Sequence, residues 1–175
     1  MLKEAMNMPQ LELVPVQAEQ KEILRNLLEK YMYEFSQYEL CDVNALGLYD
    51  YPYLDYYWTE KNRWAFFIKA DGKLAGFVMV NDFPEADEPT DYSLSEFFIL
   101  YKYRRAGVGR WAVKEIFDRF HGRWQLRRHP HNLPSVYFWD RVIAEYTGGN
   151  FRLERGYQKA LYPDGTPSDI FFFET

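Results

Sequence analysis

The pattern of apolar residues along this chain predicts an α/β fold of the α+β kind, a mixed sheet with an antiparallel middle and not the strict alternation of a doubly wound protein. Three observations lead there. The apolar period switches between strand and helix spacing in the order β-α-(α)-β-β-β-α-β-α-β-β. Two strand-like runs are joined by Asp71-Gly72, a dipeptide that supplies the positive backbone angles of a tight hairpin. The segment Arg104-Arg105-Ala106-Gly107-Val108-Gly109 lies between an apolar strand-like run, Glu96 to Tyr101, and a helix-like run, Arg110 to Phe120, so its glycines mark a strand-to-helix turn.

From the N-terminus, Leu11 to Val16 alternates as a first strand, and Ala18 to Tyr38 carries Ile23, Leu24, Leu27, Leu28, Tyr31, Met32 and Phe35 at helical spacing. Leu46 to Trp64 is crowded with Tyr49, Tyr51, Tyr53, Tyr56, Tyr57 and Trp58, which suits either a short helix packed on the core or a wall facing a substrate. Trp64 to Ala70 and Lys73 to Asp82 form the hairpin. Phe83 to Asp91, with two prolines and four acidic residues, reads as a solvated loop. Tyr92 to Tyr101 is the strand feeding the glycine turn, and Gly107 to His121 the helix behind it. Arg123 to His129 is a strand stopped by Pro130, followed by a helix over Asn132 to Tyr146 with Asn132 as N-cap and Pro134 near its first turn. Phe151 to Gln158 and Asp169 to Glu174 close the chain as strands around the turn-rich Pro163-Asp164-Gly165.

Hydrophobic residues fill 47% and aromatic residues 19% of 175 positions, enough for one substantial core, and no linker-like stretch divides the chain, so residues 1–175 read as a single domain. A net charge of −5 argues against a nucleic-acid surface, although Lys102 to Arg128 holds a local basic excess. No apolar run approaches the ~20 residues of a membrane span, and no leader-like segment opens the sequence. The single cysteine, Cys41, excludes an internal disulfide. A cytoplasmic protein without membrane attachment is expected.

Glycines at 107 and 109 clear side chains from the path of a ligand, so several backbone amides can converge on an anion. The helix that follows adds unpaired donors and a positive dipole end, and Arg104 and Arg105 add charge, which together suit a pyrophosphate. The turn lacks both the Lys-Ser/Thr ending of a P-loop and the third glycine of a dinucleotide-binding turn. As R-x-x-G-x-G after a strand, it resembles the acyl-coenzyme A loop of the GNAT-type N-acetyltransferase superfamily. A second stretch, Asn132-Leu133-Pro134-Ser135-Val136-Tyr137-Phe138-Trp139, resembles the family's N-x-x-A/S-x-x-F-Y, and the order of elements is also the family's.

The resemblance implies a GNAT-like acyl-CoA N-acyltransferase fold, its central, mostly antiparallel sheet splayed between strands 4 and 5. It implies acetyl-CoA (coenzyme A) as cosubstrate, held by Arg104, Arg105, Ala106, Gly107, Val108, Gly109 and Arg110 at the pyrophosphate. Asn132 and Ser135 would lie along the pantetheine arm, and the backbone of Phe97, Phe98 and Ile99 would pair with it. The implied partners are acetyl-CoA and an amine acceptor, a small molecule or a polypeptide, and a homodimer is compatible with the family.

Acetyl transfer from a thioester to an amine needs a base, because a primary amine is mostly protonated at neutral pH. Glu96 is the candidate: a carboxylate inside an apolar strand, between Leu94 and Phe98 on one alternating face, where burial would raise its pKa. The alternative is a Glu96 that points outward or pairs with an arginine. Tyr56 and Tyr57 are the expected acceptor wall. The family's tyrosine general acid is missing, since Trp139 occupies its place and Tyr137 falls on nearly the opposite side of the helix. His121, His129 and His131 read as loop residues; two histidines flanking Pro130 without a nearby carboxylate or thiol pattern do not make a metal site, and no metal is expected. An N-acetyltransferase is the leading reading. The absent tyrosine leaves a second, a non-catalytic acyl-CoA-binding regulatory or interaction module.

Overall fold

In the computed structural model, which describes residues 9–175, the elements follow the expected order. They are β1 (Leu11–Pro15), α1 (Lys21–Glu39), α2 (Tyr56–Thr59), β2 (Arg63–Ala70), β3 (Lys73–Asn81), β4 (Tyr92–Ile99), α3 (Val108–Arg119), β5 (Arg123–Arg128), α4 (Leu133–Thr147), β6 (Phe151–Leu161) and β7 (Pro167–Glu174). Residues 1–8, which the sequence reads as carrying no leader, lie outside the described residues. The strand before the glycine turn ends at Ile99 because Tyr101–Tyr103 coils into a 3₁₀ turn. The sixth strand runs three residues past Gln158, its pairing with β7 interrupted on both sides of Tyr157.

One seven-stranded sheet results, in the order β1-β2-β3-β4-β5-β7-β6. Asp71 (φ 49°) and Gly72 (φ 71°) are both left-handed, the geometry that matches a two-residue loop to the twist of β2 and β3. Helices cover both faces. On one, Val113, Ile116 and Phe117 of α3 and Val142 and Ile143 of α4 pack on Phe66, Val78, Leu94, Trp124 and Phe171. On the other, Leu24, Leu27, Leu28 and Tyr31 of α1, joined by Leu54 and Tyr57, pack on Phe67, Phe77, Met79 and Phe98.

The feature that opens the sheet is the junction of β4 and β5. These strands are parallel and pair only at Tyr92↔Trp124 and Ser93↔Gln125, after which they part. Beside the parting, β4 bulges: Met79 faces Glu96 and Val80 faces Leu94, leaving Ser95 unmatched. The alternation expected from the sequence is therefore broken. Leu94 and Glu96 do not share a face; Leu94 and Phe97 belong to the α3/α4 side, whereas Phe98 belongs to the α1 side.

Gly76 of β3 lies where β4 comes closest, and a Cβ there would sit 2.0 Å from the Phe98 carbonyl oxygen. Since that neighbour is backbone, Gly76→Ala is expected to cost at least the ~1–3 kcal/mol of an overpacked site, read as a lower urea midpoint. An unchanged midpoint would show that β3 and β4 can separate there freely.

Candidate active site at the splayed strands

The turn leading into α3 offers a row of unused donors. Trp111 is the first residue of this helix whose amide reaches back, to the Gly107 carbonyl, and no carbonyl or side chain among the described residues accepts from the amides of residues 105–110. Gly107 is the N-cap at φ 80°, a left-handed geometry costly for other residues, with nothing within 4 Å of where a Cβ would lie. That open space over free amides fits a phosphate group. Gly109 has a different reason to be glycine, because a Cβ there would come 3.3 Å from Phe138 and 3.4 Å from Ile99. It lets α4 approach α3, and does not clear a ligand's path.

The arginines divide similarly. Arg104 grips Glu34 of α1 through both terminal nitrogens at 2.8 Å, donates from Nε to the Ile99 carbonyl at 2.6 Å, and lies 4.2 Å over the Tyr101 ring. Its side chain ties the turn to α1 and β4. Arg110 pairs with Glu145 of α4 at 3.0 Å. Arg105, left-handed at φ 60° and exposed, has no ion-pair partner among the described residues. Ala106 is exposed, and Val108 is buried under the turn.

Beyond Ser93 the β5-facing edge of β4 is unpaired, which leaves backbone groups of Phe97 available to an extended ligand; the Ile99 carbonyl on that edge is taken by Arg104, and Phe98, expected to share the edge, turns its backbone to β3 opposite Phe77. Asn132 caps α4, its side chain accepting from the Ser135 amide at 3.2 Å. Phe97 stacks on Phe138 with centroids 5.6 Å apart and meets Trp139 edge-on at 5.3 Å. Trp139 is buried in this cluster, so the tyrosine's place is occupied by core packing.

Glu96 turns to the α1 side of the sheet, where the Tyr51 hydroxyl donates to it at 3.0 Å and the Tyr31 hydroxyl lies near enough to favour its ionised form. Burial pushes its carboxyl up to about 7; the two hydroxyls work against that shift, and Glu85 and Glu39 add to it. Tyr51 arrives there because Glu29 of α1 accepts the amides of Tyr49 at 2.9 Å and Asp50 at 3.0 Å, and Asp50 turns the chain at φ 57°. Within the aromatic stretch it is Tyr51 that touches Glu96. Tyr57 is buried in the α1-side core with an unpartnered hydroxyl, and Tyr56 is exposed beside Arg63.

Other residues around this space were not legible as a group. Glu85 comes from the loop read as solvated, yet Gln125 of β5 draws that loop in, accepting from the amides of Glu85 at 2.6 Å and Ala86 at 2.9 Å and donating to the Glu88 carbonyl at 2.9 Å. A glutamine inside the apolar Trp124-Gln125-Leu126 was the available signal, since a buried amide must find partners. Burial raises the pKa of Glu85 and of Glu39, and the Glu85 carboxylate meets only Arg127, at 3.8 Å, among the described residues. Arg127 lies 4.1 Å over Tyr162, from the turn between β6 and β7.

Residues 23–143 match the model of the acetyltransferase (GNAT) family. The chain belongs to that family. Among solved structures it is similar to an acetyltransferase from Thermus thermophilus, at TM-score 0.66 and 18% identity, with 97% of this chain and 100% of that one covered. It is also similar to the spermidine N-acetyltransferase of Vibrio cholerae in complex with CoA and spermine, at TM-score 0.62, 14% identity and coverage of 94% and 95%. A third, Arabidopsis thaliana NAA60 with acetyl-CoA, gives TM-score 0.62, 13% identity and coverage of 94% and 98%. No curated protein matches. Among the described residues no helix is long and apolar enough to cross a membrane.

Because the Tyr51 hydroxyl stabilises the ionised form of Glu96, Tyr51→Phe should raise that carboxyl's pKa by about one unit or more. Tyr56→Phe should leave it in place. A carbon-detected NMR titration of the glutamate carboxyls checks both; equal titration of Glu96 in Tyr51→Phe and the parent protein would contradict the assignment.

Proposed function

We propose that this protein is an acetyl-CoA-dependent N-acetyltransferase and that its acceptor is a primary amine carrying further positive charge. The observation that carries the reading is Glu96: a buried carboxylate raised to about 7, held by the Tyr51 hydroxyl beside the parted strands. When bound, the thioester supplies the acetyl group, its C–S bond breaking as the C–N bond forms. The amides of residues 105–110 and the positive end of α3 hold the pyrophosphate, with Arg105 adding charge. The free β4 edge at Phe97 aligns the pantetheine arm, near Asn132 and Ser135 at the start of α4. Glu96 accepts a proton from the acceptor's ammonium, directly or through water. The buried indole of Trp139 cannot stand in for a hydroxyl acid, so the sulfur takes its proton from solvent.

The acceptor class follows from charge. Glu39 and Glu85 both act on Glu96 through a partly desolvated space in which, among the described residues, Arg127 is the guanidinium that acts on Glu39 and Glu85, and that cation is also bound to Ser168 and the Leu161 carbonyl. Two carboxylates in excess favour an acceptor with a second cationic group, as spermine has in the Vibrio cholerae complex. The second reading, an acyl-CoA-binding module without catalysis, draws on Trp139. Release of free coenzyme A thiol from acetyl-CoA with a panel of mono- and diamines separates the two, because the module binds the coenzyme and releases nothing.

Glu96→Gln should lower the rate at neutral pH by about 10²–10⁴-fold and recover partly at high pH, where more amine is already neutral, with coenzyme affinity unchanged. In the parent enzyme, kcat/KM should rise as pH rises through about 7, since the base works only when ionised. Wild-type turnover in Glu96→Gln across that range would make the glutamate structural.

The loop assignment is tested by calorimetry with coenzyme A: Gly107→Glu places a carboxylate over the free amides and should abolish binding, and equal affinity in a folded variant would remove the loop from the site. Glu85→Gln should raise KM for a diamine more than for a monoamine of equal length. An equal effect on both would discard the dicationic acceptor.

A further inference from the structure

We propose that His129, His131 and Asp164 form a binding site for a divalent first-row metal ion such as Zn²⁺, linking the end of β5 to the turn between β6 and β7. The ligand atoms of the three side chains all lie within 4.8 Å of one another. His129 carries the argument. Its side chain is fully buried, and its Nε2 has no hydrogen-bond partner. A buried ring nitrogen without a partner is costly, and this one points at Asp164 Oδ2 from 3.6 Å, too far for a hydrogen bond. The same separation suits a metal. Two ligand atoms bound to zinc at about 2.0–2.2 Å in a tetrahedral shell stand roughly 3.3–3.5 Å apart.

The carboxylate is already positioned. Asp164 accepts from the Thr166 amide at 3.0 Å and the Thr166 hydroxyl at 2.5 Å, which lower its pKa and keep it ionised. His131 is exposed, its ring 5.2 Å from that of His129, and is free to supply the third ligand. Tyr162 and Tyr38 wall the site, their rings 4.5 Å and 5.8 Å from His129. A site of two imidazoles and one carboxylate with open positions for water favours the later first-row ions over magnesium or calcium.

Two features oppose binding. His129 Nδ1 accepts from the His131 amide at 3.2 Å, so the neutral ring holds its proton on Nε2. An ion on Nε2 sends that proton to Nδ1 and breaks this contact, which releases the His131 backbone to bring its own ring onto the metal. Arg127 adds positive charge nearby, but it faces Glu85, and Glu39 sits close enough to Asp164 to add negative charge. The expected affinity is consequently micromolar, well short of a structural zinc site.

The test uses the untagged full chain, free of chelators, with Zn²⁺ in calorimetry and Co²⁺ in absorption spectroscopy. One ion per chain should bind, with the visible ligand-field bands of a low-coordinate Co²⁺ that Zn²⁺ displaces, and saturating Zn²⁺ should raise Tm. His131→Ala and Asp164→Asn, the latter keeping the turn's hydrogen-bonding shape, should each weaken binding by about 10–100-fold. No stoichiometric binding below about 100 µM would overturn the proposal, as would binding equally tight in both variants, which would put the ion elsewhere. The outcome is independent of acetyl transfer, since the metal site requires neither coenzyme nor acceptor.

Discussion

The parting of β4 from β5 after two residue pairs is the constraint on which the candidate site depends. Sheet strands satisfy their backbone groups on both sides, and β4 gives up one side over half its length, leaving donors and acceptors that an extended ligand can use. The bulge at Ser95 sits at the same level. By inserting one residue it sends Phe97 toward Phe138 and Trp139 and turns Glu96 to the opposite face, under Tyr31 and Tyr51. Without it, Glu96 would fall on the face of Leu94, toward the α3/α4 core and away from Tyr51.

A gap in a sheet must be held open by something else, and buried or half-buried polar groups do so here. Arg128 is fully buried between β5 and α4, bound to Asp140 at 2.6 Å, the Val136 carbonyl at 3.0 Å and Asp169 of β7 at 3.3 Å. Removing any partner would strand a charge in a dry interior. Arg104 has the corresponding role on the other wall, joining α1 to the end of β4 with two parallel hydrogen bonds, a geometry stronger than an ordinary surface pair. Gln125 sews the loop before β4 to β5.

These ties also set the electrostatics. With Arg104, Arg110 and Arg128 engaged by carboxylates, the positive character left at the turn before α3 comes from backbone amides, the α3 dipole and Arg105. On the Glu96 side, burial raises the carboxyls of Glu39, Glu85 and Glu96, and the first two add to the rise at Glu96. The turn before α3 and the surroundings of Glu96 thus differ in sign, which is the asymmetry that the proposed function draws on.

The sequence by itself determined the element order, the Asp71-Gly72 hairpin and the glycine turn with its free amides, because these depend on periodicity and local backbone preference. It also pointed to Glu96, since a carboxylate in an apolar strand is conspicuous wherever it faces. Tertiary structure decided which face, because a one-residue bulge leaves no mark in a pattern of alternation. It decided that Gly109 serves helix packing and that Arg104 serves Glu34, choices made by neighbours 29 and 70 residues away. It brought Tyr51 out of the aromatic stretch onto Glu96, through the two preceding amides that Glu29 accepts. And it set Asp164 beside His129 and His131, which in sequence have no carboxylate near them, because the long hairpin of β6 and β7 folds back along β5 and brings its turn to that strand's end.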